Sequence, residues 1–349
     1  MVAKPSLPFG FSYDDDAVTR TLNTFIHTPE LMILHDPQAY KEHYQRPTTI
    51  LNYFETLVPE ENMRNYLLSF TKRKLTTFAY SPVILYFLGA HGSGKDTYVS
   101  ILETIMGHVS RPTVKEFLEV YNGWMLDTYF AQLDEYGNQL TKLSEREEAL
   151  GKLKAYTGKN KVMVRTMRTD GFSYEHNLTF IMTANKNPLM LEDGDRRIAF
   201  LPTPNVLAKA DWVVEAGGIT VVHDRIMSEI KDFCYYLATE VESLSPSEYM
   251  VPPESDSKLA LIADSMFAAQ RIAFAMKHNM LDYLKNLCID FNANDTLNAI
   301  RNEKLNEDNI EPLYLAMTDM SGDMRSLNKA IRANAVSYTH LTLQTNREV

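Results

Sequence analysis

The sequence predicts an α/β protein with a central, mostly parallel sheet, a helical N-terminal segment and a helical C-terminal region. Three observations predict it. The apolar run Val83–Leu88 has strand length, breaks into Gly89-Ala90-His91-Gly92-Ser93-Gly94-Lys95, and resumes as an amphipathic helix from about Thr97 to Met106. Asp127–Glu135 and Leu178–Asn185 read as further strands whose polar residues sit at the C-terminal end. Ile198–Leu201 is a fourth apolar run, directly behind Arg196-Arg197. These boundaries divide the chain into a helical segment at 1–80, a core at 81–205, a helical lid or side bundle at 206–290 and a small module at 291–335.

Composition narrows the class. At 45% hydrophobic and 23% charged residues the chain is too apolar for disorder and has no apolar run long enough to span a membrane. The first ten residues, MVAKPSLPFG, lack the apolar stretch of a secretion signal. Cys234 and Cys288 have no metal-ligand spacing and read as reduced, buried thiols. A net charge of −10 argues against nonspecific wrapping of nucleic acid, while leaving room for a local basic channel.

In the front segment the best helical run is Asn62–Phe78, and its Lys72-Arg73-Lys74 cluster reads as a solvated helix face in preference to a phosphate contact. Then comes the strand, glycine loop and helix of a P-loop. Glycines allow consecutive backbone N–H groups to converge on one point, and the helix N-terminus adds partial positive charge. Residues Gly89 to Thr97 would cradle a nucleotide's phosphates, with Lys95 reaching the β- and γ-phosphates. Asp96 stands where a Ser or Thr is usual; either it or Thr97 would face Mg²⁺. His91 is expected to shape the loop or touch a nucleotide edge.

Asp134 and Glu135 close the next strand. After a P-loop, the first can hold Mg²⁺ and the second can polarise the water that attacks the γ-phosphate. Gly151–Arg168 carries Lys152, Lys154, Lys159, Lys161, Arg165 and Arg168 without one acid. Lys161–Arg165 alternates as a short strand and Arg168–Gly171 suits a turn, so a basic hairpin is expected. Such a hairpin is suited to a phosphate backbone, and its contacts would be salt-sensitive; the alternative is a solvated positive face. Tyr156 would stack on a base or pack in the core.

Asn185, at the end of its strand, is placed to orient the attacking water or sense the γ-phosphate. Paired arginines at the start of a core strand are costly to bury unpaired. A subunit interface, with an arginine finger reaching the neighbouring nucleotide, accounts for Arg196 and Arg197; ion pairs to Asp193 or Asp195 are the alternative. Residues 209–245 and 256–289 are largely helical, with Pro252-Pro253 between them, and Met266, Met276 and Met280 fill core gaps.

This order of features resembles the superfamily 3 helicases, most closely the helicase domain of phage, virus and plasmid primase-helicases of the poxvirus D5-like type. The likeness spans roughly 60–290. Gly89, Gly92, Gly94 and Lys95 match the first motif of that family, Asp134 and Glu135 the second, Asn185 the third and Arg197 the finger position. The basic stretch falls where the family carries the segment leading into its DNA-binding hairpin. The resemblance implies a P-loop AAA+-like core in a homo-hexameric ring that hydrolyses ATP with Mg²⁺ between subunits and pulls single-stranded DNA through a central channel. It further implies a role in the replication of a phage, virus or mobile element, in the host cytoplasm, beside a primase or polymerase. Two departures are Asp96 and the absence of the primase domain that often precedes this helicase, so priming is not expected.

Two other functions fit the residues. One is an AAA+-type ATPase that remodels or loads a protein partner; the other is a nearly inactive ATP-binding assembly protein, its turnover blunted by Asp96. Residues 290–335 could open a winged-helix module, and 336–349 read as translated sequencing adapter.

Overall fold

The computed structural model describes residues 10–13, 20–23, 25, 27–135, 143–167, 170–187, 193–302 and 304–334. It is a mixed α/β structure built around a central parallel sheet. Two short strands come first, β1 (Gly10–Tyr13) and β2 (Arg20–Asn23), paired antiparallel. The helical N-terminal segment therefore also contains an antiparallel strand pair, which four-residue runs are too short to announce by alternation. Then follow α1 (Pro29–His35), α2 (Thr48–Leu57) and α3 (Glu61–Thr77).

The sheet consists of β3 (Ile84–Gly89), β4 (Phe130–Asp134), β7 (Thr179–Ala184) and β8 (Ile198–Thr203). All pairings are parallel and the spatial order is β4-β7-β3-β8. Ser110 adds a single parallel bridge beside Ala131. Pro202 lies within β8, which is tolerated because β8 is an edge strand bonded only to β3. After β3 comes α4 (Lys95–Met106), and α5 (Val114–Leu118) precedes β4. Between β4 and β7 lie a helix at Leu143–Gly158 and the antiparallel hairpin β5 (Lys161–Val164) and β6 (Phe172–Glu175).

Contacts divide the chain into two units, 1–189 with 196–253, and 190–195 with 254–349. The division thus falls inside the expected 206–290 segment. In the first unit one core joins α2, α3, α4 and the helix Ile230–Thr239 to the sheet through Phe54, Leu67, Phe70, Leu85, Tyr98, Leu201 and Phe233. The long helical runs expected after 209 are cut shorter. Within 209–245 the helices Ile219–Ser228 and Ile230–Thr239 part at Glu229, and 256–289 holds three helices with a left-handed Asn279 (φ 53°) at one junction. In the second unit the described residues from 254 to 334 form helices, without a strand that would serve as a wing. Both cysteines are buried and unbridged. No helix among the described residues is long and apolar enough to cross a membrane.

Lys72, Arg73 and Lys74 do not form a solvated face: all three donate to backbone carbonyls. The Lys72 ammonium donates to the Ala238 and Val241 carbonyls at 2.9 and 2.7 Å, and Arg73 to Leu244 at 2.6 Å. These bonds satisfy orphan carbonyls at and beyond the end of the Ile230–Thr239 helix. Lys74 is fully buried and donates to the carbonyls of Ala79, at 3.1 Å, and Asn177. Burial pushes its pKa down to about 7, and burial pushes His176 down to about 4.

Both shifts have the same sign for stability. The unfolded chain holds the Lys74 proton up to its ordinary value of 10.5 and the His176 proton up to 6.5, whereas the folded chain releases them lower. The unfolding free energy should therefore rise with pH from about 4 to 6.5 and again from about 7 to 10.5. Urea midpoints across pH read this directly; Lys74→Met should flatten the upper rise and shrink the lower one in part, since the Lys74 charge adds to the lowering of His176.

Candidate functional site

The site lies at the C-terminal ends of β3, β7 and β4. Gly89 ends β3 so close to β8 that a Cβ there would sit 2.2 Å from the Thr203 carbonyl oxygen, so only glycine fits. The Ala90 N–H donates to that same oxygen at 2.9 Å. Gly92 (φ 72°) and Gly94 (φ 96°) take left-handed conformations that other residues rarely adopt. The turn is held from outside by the Tyr53 hydroxyl donating to Gly94 O at 2.9 Å and by the Leu207 N–H donating to Gly92 O at 2.9 Å. His91 is exposed on the loop and Ser93 is buried under it.

Lys95 is the first residue of α4 and is almost fully buried. Its ammonium donates to the carbonyls of Gly89 and Ala90, at 3.2 and 2.9 Å, and to Asn185 Oδ1 at 2.9 Å. The Asn185 amide in turn donates to Glu135 Oε1, and the Thr183 hydroxyl donates to Asp134 Oδ1. Burial lowers the Lys95 pKa, while Glu135, Asp96 and Asp134 oppose that shift in this order. Glu135 follows β4 in a left-handed conformation (φ 50°), fixed by its N–H to the Thr183 carbonyl at 3.0 Å. Residues far apart in sequence therefore meet: Lys95 and Asn185 touch directly, and Asn185 touches Glu135.

Asp96 Oδ1 accepts from the Gln132 amide at 2.9 Å, and Gln132 Oε1 accepts from Arg111 Nε at 3.0 Å. Arg111 pairs with Glu103 at 2.8 Å. Sequence reasoning missed Gln132 and Arg111; the available signal was a polar residue in the middle of the buried strand Phe130–Asp134. Thr97, the other candidate for a metal, is half-buried in the first turn of α4.

Arg196 and Arg197 lie at the opposite end of the sheet. Arg197 precedes β8, and its carbonyl accepts from the N–H of Ile84, the first residue of β3, at 2.7 Å. The length of β3, roughly 17 Å at 3.3 Å per residue, separates Arg197 from the glycine loop of its own chain. The Asp193 carboxylate is taken by Lys277 at 2.7 Å and His278 at 3.3 Å.

Of the basic stretch, Lys152 turns inward: its ammonium caps α5 by donating to the carbonyls of Phe117 at 3.3 Å, Glu119 at 2.9 Å, and Leu118. Lys154 is half-buried, Lys159, Lys161 and Arg165 are exposed, and Arg168 lies outside the described residues. Tyr156 joins the interior, stacked on Phe180 with ring centroids 6.1 Å apart. Met163, Met167 and Phe172, in β5, just after it and in β6, are also exposed. Beside β5–β6 runs a loop with exposed Val120 and Tyr121, clasped to β5 through Asn122, which bonds to Arg165 N at 2.9 Å and to Met163 O at 3.1 Å. The register sets Lys161 and Met163 on one face, with Glu175 opposite Lys161, and Phe172 on the other face, opposite Val164; the apolar residues had not been singled out in the sequence.

Residues 87–197 match the model of a family of unknown function (DUF5906). That interval runs from within β3 to Arg197. Among curated proteins, the DNA primase-polymerase of Nitratiruptor phage NrS-1 is 22% identical over 228 residues, 61% of this chain. The match spans only 30% of that protein's length. Among solved structures, the apo C-terminal region of NrS-1 is similar at 18% identity with a TM-score of 0.65, covering 95% of this chain and 78% of that one. A second apo structure of the same region, the A form, gives the same TM-score at 17% identity. These structural likenesses establish a shared fold.

Proposed function

We propose that this protein is an ATP-hydrolysing motor of the superfamily 3 helicase type, with a P-loop AAA+-like core, acting on single-stranded DNA in phage DNA replication. The observation that carries the proposal is the contact chain from Lys95 through Asn185 to Glu135, assembled from the ends of three adjacent parallel strands. The strand bearing Asn185 lies between the strand of the P-loop and the strand of the acids, which supports a hydrolytic P-loop site. The similarity to a phage DNA primase-polymerase supports the place in phage replication.

In this reading the glycine loop and the N-terminus of α4 bind phosphates, and Lys95 leaves the carbonyls of Gly89 and Ala90 for the β- and γ-oxygens. Glu135 accepts a proton from the attacking water, and Asn185 orients that water against the γ-phosphate. Asp134 would hold Mg²⁺, with Asp96 or Thr97 beside it. Their oxygen donors suit that ion, and no group of three or more acidic, His or Cys residues among the described residues could hold it alone. The phosphates would complete its shell; when bound, Mg²⁺ neutralises charge on them. Lys159, Lys161 and Arg165 would grip the DNA backbone while Tyr121 meets bases.

The Asp96–Gln132 bond favours one refinement, a slow motor. A carboxylate held in the first turn of α4 repels incoming phosphates where a hydroxyl would not. Steady-state ATP turnover tests both statements. Wild type should exceed Lys95→Ala by at least about tenfold, and Asp96→Ser should raise turnover several-fold. Wild-type turnover equal to Lys95→Ala would remove the ATPase reading and favour an ATP-binding assembly protein.

A further inference from the structure

The bond from Asp96 to Gln132 continues outward to a cation. Ser110 bridges to Ala131 in β4: its N–H donates to the Phe130 carbonyl at 3.0 Å, and its carbonyl accepts from the Gln132 N–H at 2.8 Å. The next residue, Arg111, is thereby brought to Gln132, and its Nε donates to Gln132 Oε1 at 3.0 Å. Gln132 is 3% exposed, whereas Arg111 sits at the rim, paired with Glu103 of α4 at 2.8 Å.

Donor chemistry fixes the direction of this relay. A guanidinium has no acceptor, so Gln132 turns its oxygen to Arg111 and its amide hydrogens to Asp96. Asp96 thus meets a donor, polarised by the cation behind it, and that suits a carboxylate. The place is equally specific. Gln132 and Asp134 lie two residues apart in β4 and hence on one face of the sheet. Gln132 stands roughly 7 Å further from the C-terminal ends of the strands. A carboxylate bonded to Gln132 is drawn down that face, below the level at which Lys95, Asn185 and Glu135 meet.

We propose that Gln132 and Arg111 are positioning residues that hold the Asp96 carboxylate clear of the phosphates; the assignment rests on the P-loop reading of Gly89–Lys95. They act through Asp96 alone. The loop tolerates an acid after Lys95 because the relay restrains it. Once the relay is cut, the carboxylate is free to swing toward incoming phosphates and repel them.

The test titrates inorganic tripolyphosphate, without metal, into the full chain by calorimetry, in wild type and in an Asp96→Ser background. Gln132→Met conserves the volume of a buried side chain, and Arg111→Met changes a half-exposed one. In the wild-type background each should weaken tripolyphosphate about tenfold, the scale of coupling between residues in contact. Arg111→Lys, which can still donate to Gln132, should recover most of that loss. In the Asp96→Ser background Gln132→Met and Arg111→Met should each change affinity by less than about twofold. Equal weakening in both backgrounds would overturn the proposal, because the two residues would then support the loop without acting through Asp96. Unchanged affinity in the wild-type background would overturn it as well. Lys95→Ala separates the premise. Tripolyphosphate binding that is absent, or indifferent to Lys95, would remove the P-loop reading and this proposal with it; Lys95-dependent binding without coupling to Asp96 removes the proposal alone.

Discussion

Glu135→Gln should cut ATP turnover by about 10²–10⁴-fold, the range that a positioned general base supplies, while nucleotide affinity stays within a few-fold of wild type. The separation follows from the geometry. Glu135 touches the amide of Asn185, whereas in the proposed mechanism phosphate binding would fall to the glycine loop and Lys95. Glutamine keeps the size of the side chain and the contact with Asn185 but cannot take a proton from water. Single-turnover hydrolysis and equilibrium binding on the same preparation check it. If affinity falls with turnover, Glu135 serves binding; if neither changes, it has no part in the chemistry.

Arg197→Ala should also abolish turnover, by about 10³–10⁵-fold if the arginine acts as a finger, and here the expected rescue is informative. Arg197 stands at the end of the sheet opposite the glycine loop of its own chain, so in the proposed motor it would serve a neighbour's nucleotide. Each single variant should be dead. An equimolar mixture of Glu135→Gln and Arg197→Ala should recover activity, since roughly a quarter of randomly formed interfaces join an intact base to an intact arginine. No recovery in a mixture shown to exchange subunits would place the role of Arg197 within its own fold. The same logic makes specific activity of the wild type rise with protein concentration.

The site was legible where chemistry leaves few residue choices. Gly89 cannot be another residue against the Thr203 carbonyl, and Gly92 and Gly94 need positive φ, so the loop announces itself. Acids and an asparagine closing apolar strands were equally readable, because a buried strand has no other use for them. What the chain did not display locally were the long-range partners. Lys72 and Arg73 cap carbonyls some 170 positions later, and Lys152 caps α5, so a run of positive charge in one dimension became structural bonds in three. The strand order and the Asp96–Gln132 bond depend in the same way on which face of β4 receives α4. The Trp212–Thr56 bond likewise needs α2 brought against the segment after β8.

The most direct measurement is ATP turnover with and without single-stranded DNA across a salt series, on wild type and on Lys161→Ala/Arg165→Ala. A motor that grips DNA through the exposed face of β5–β6 predicts stimulation at low salt that fades as salt rises, and a much weaker response in the double variant with its DNA-free turnover unchanged. Turnover indifferent to DNA at every salt concentration, with no DNA bound at low salt, would contradict the account and leave an ATPase that works on another partner.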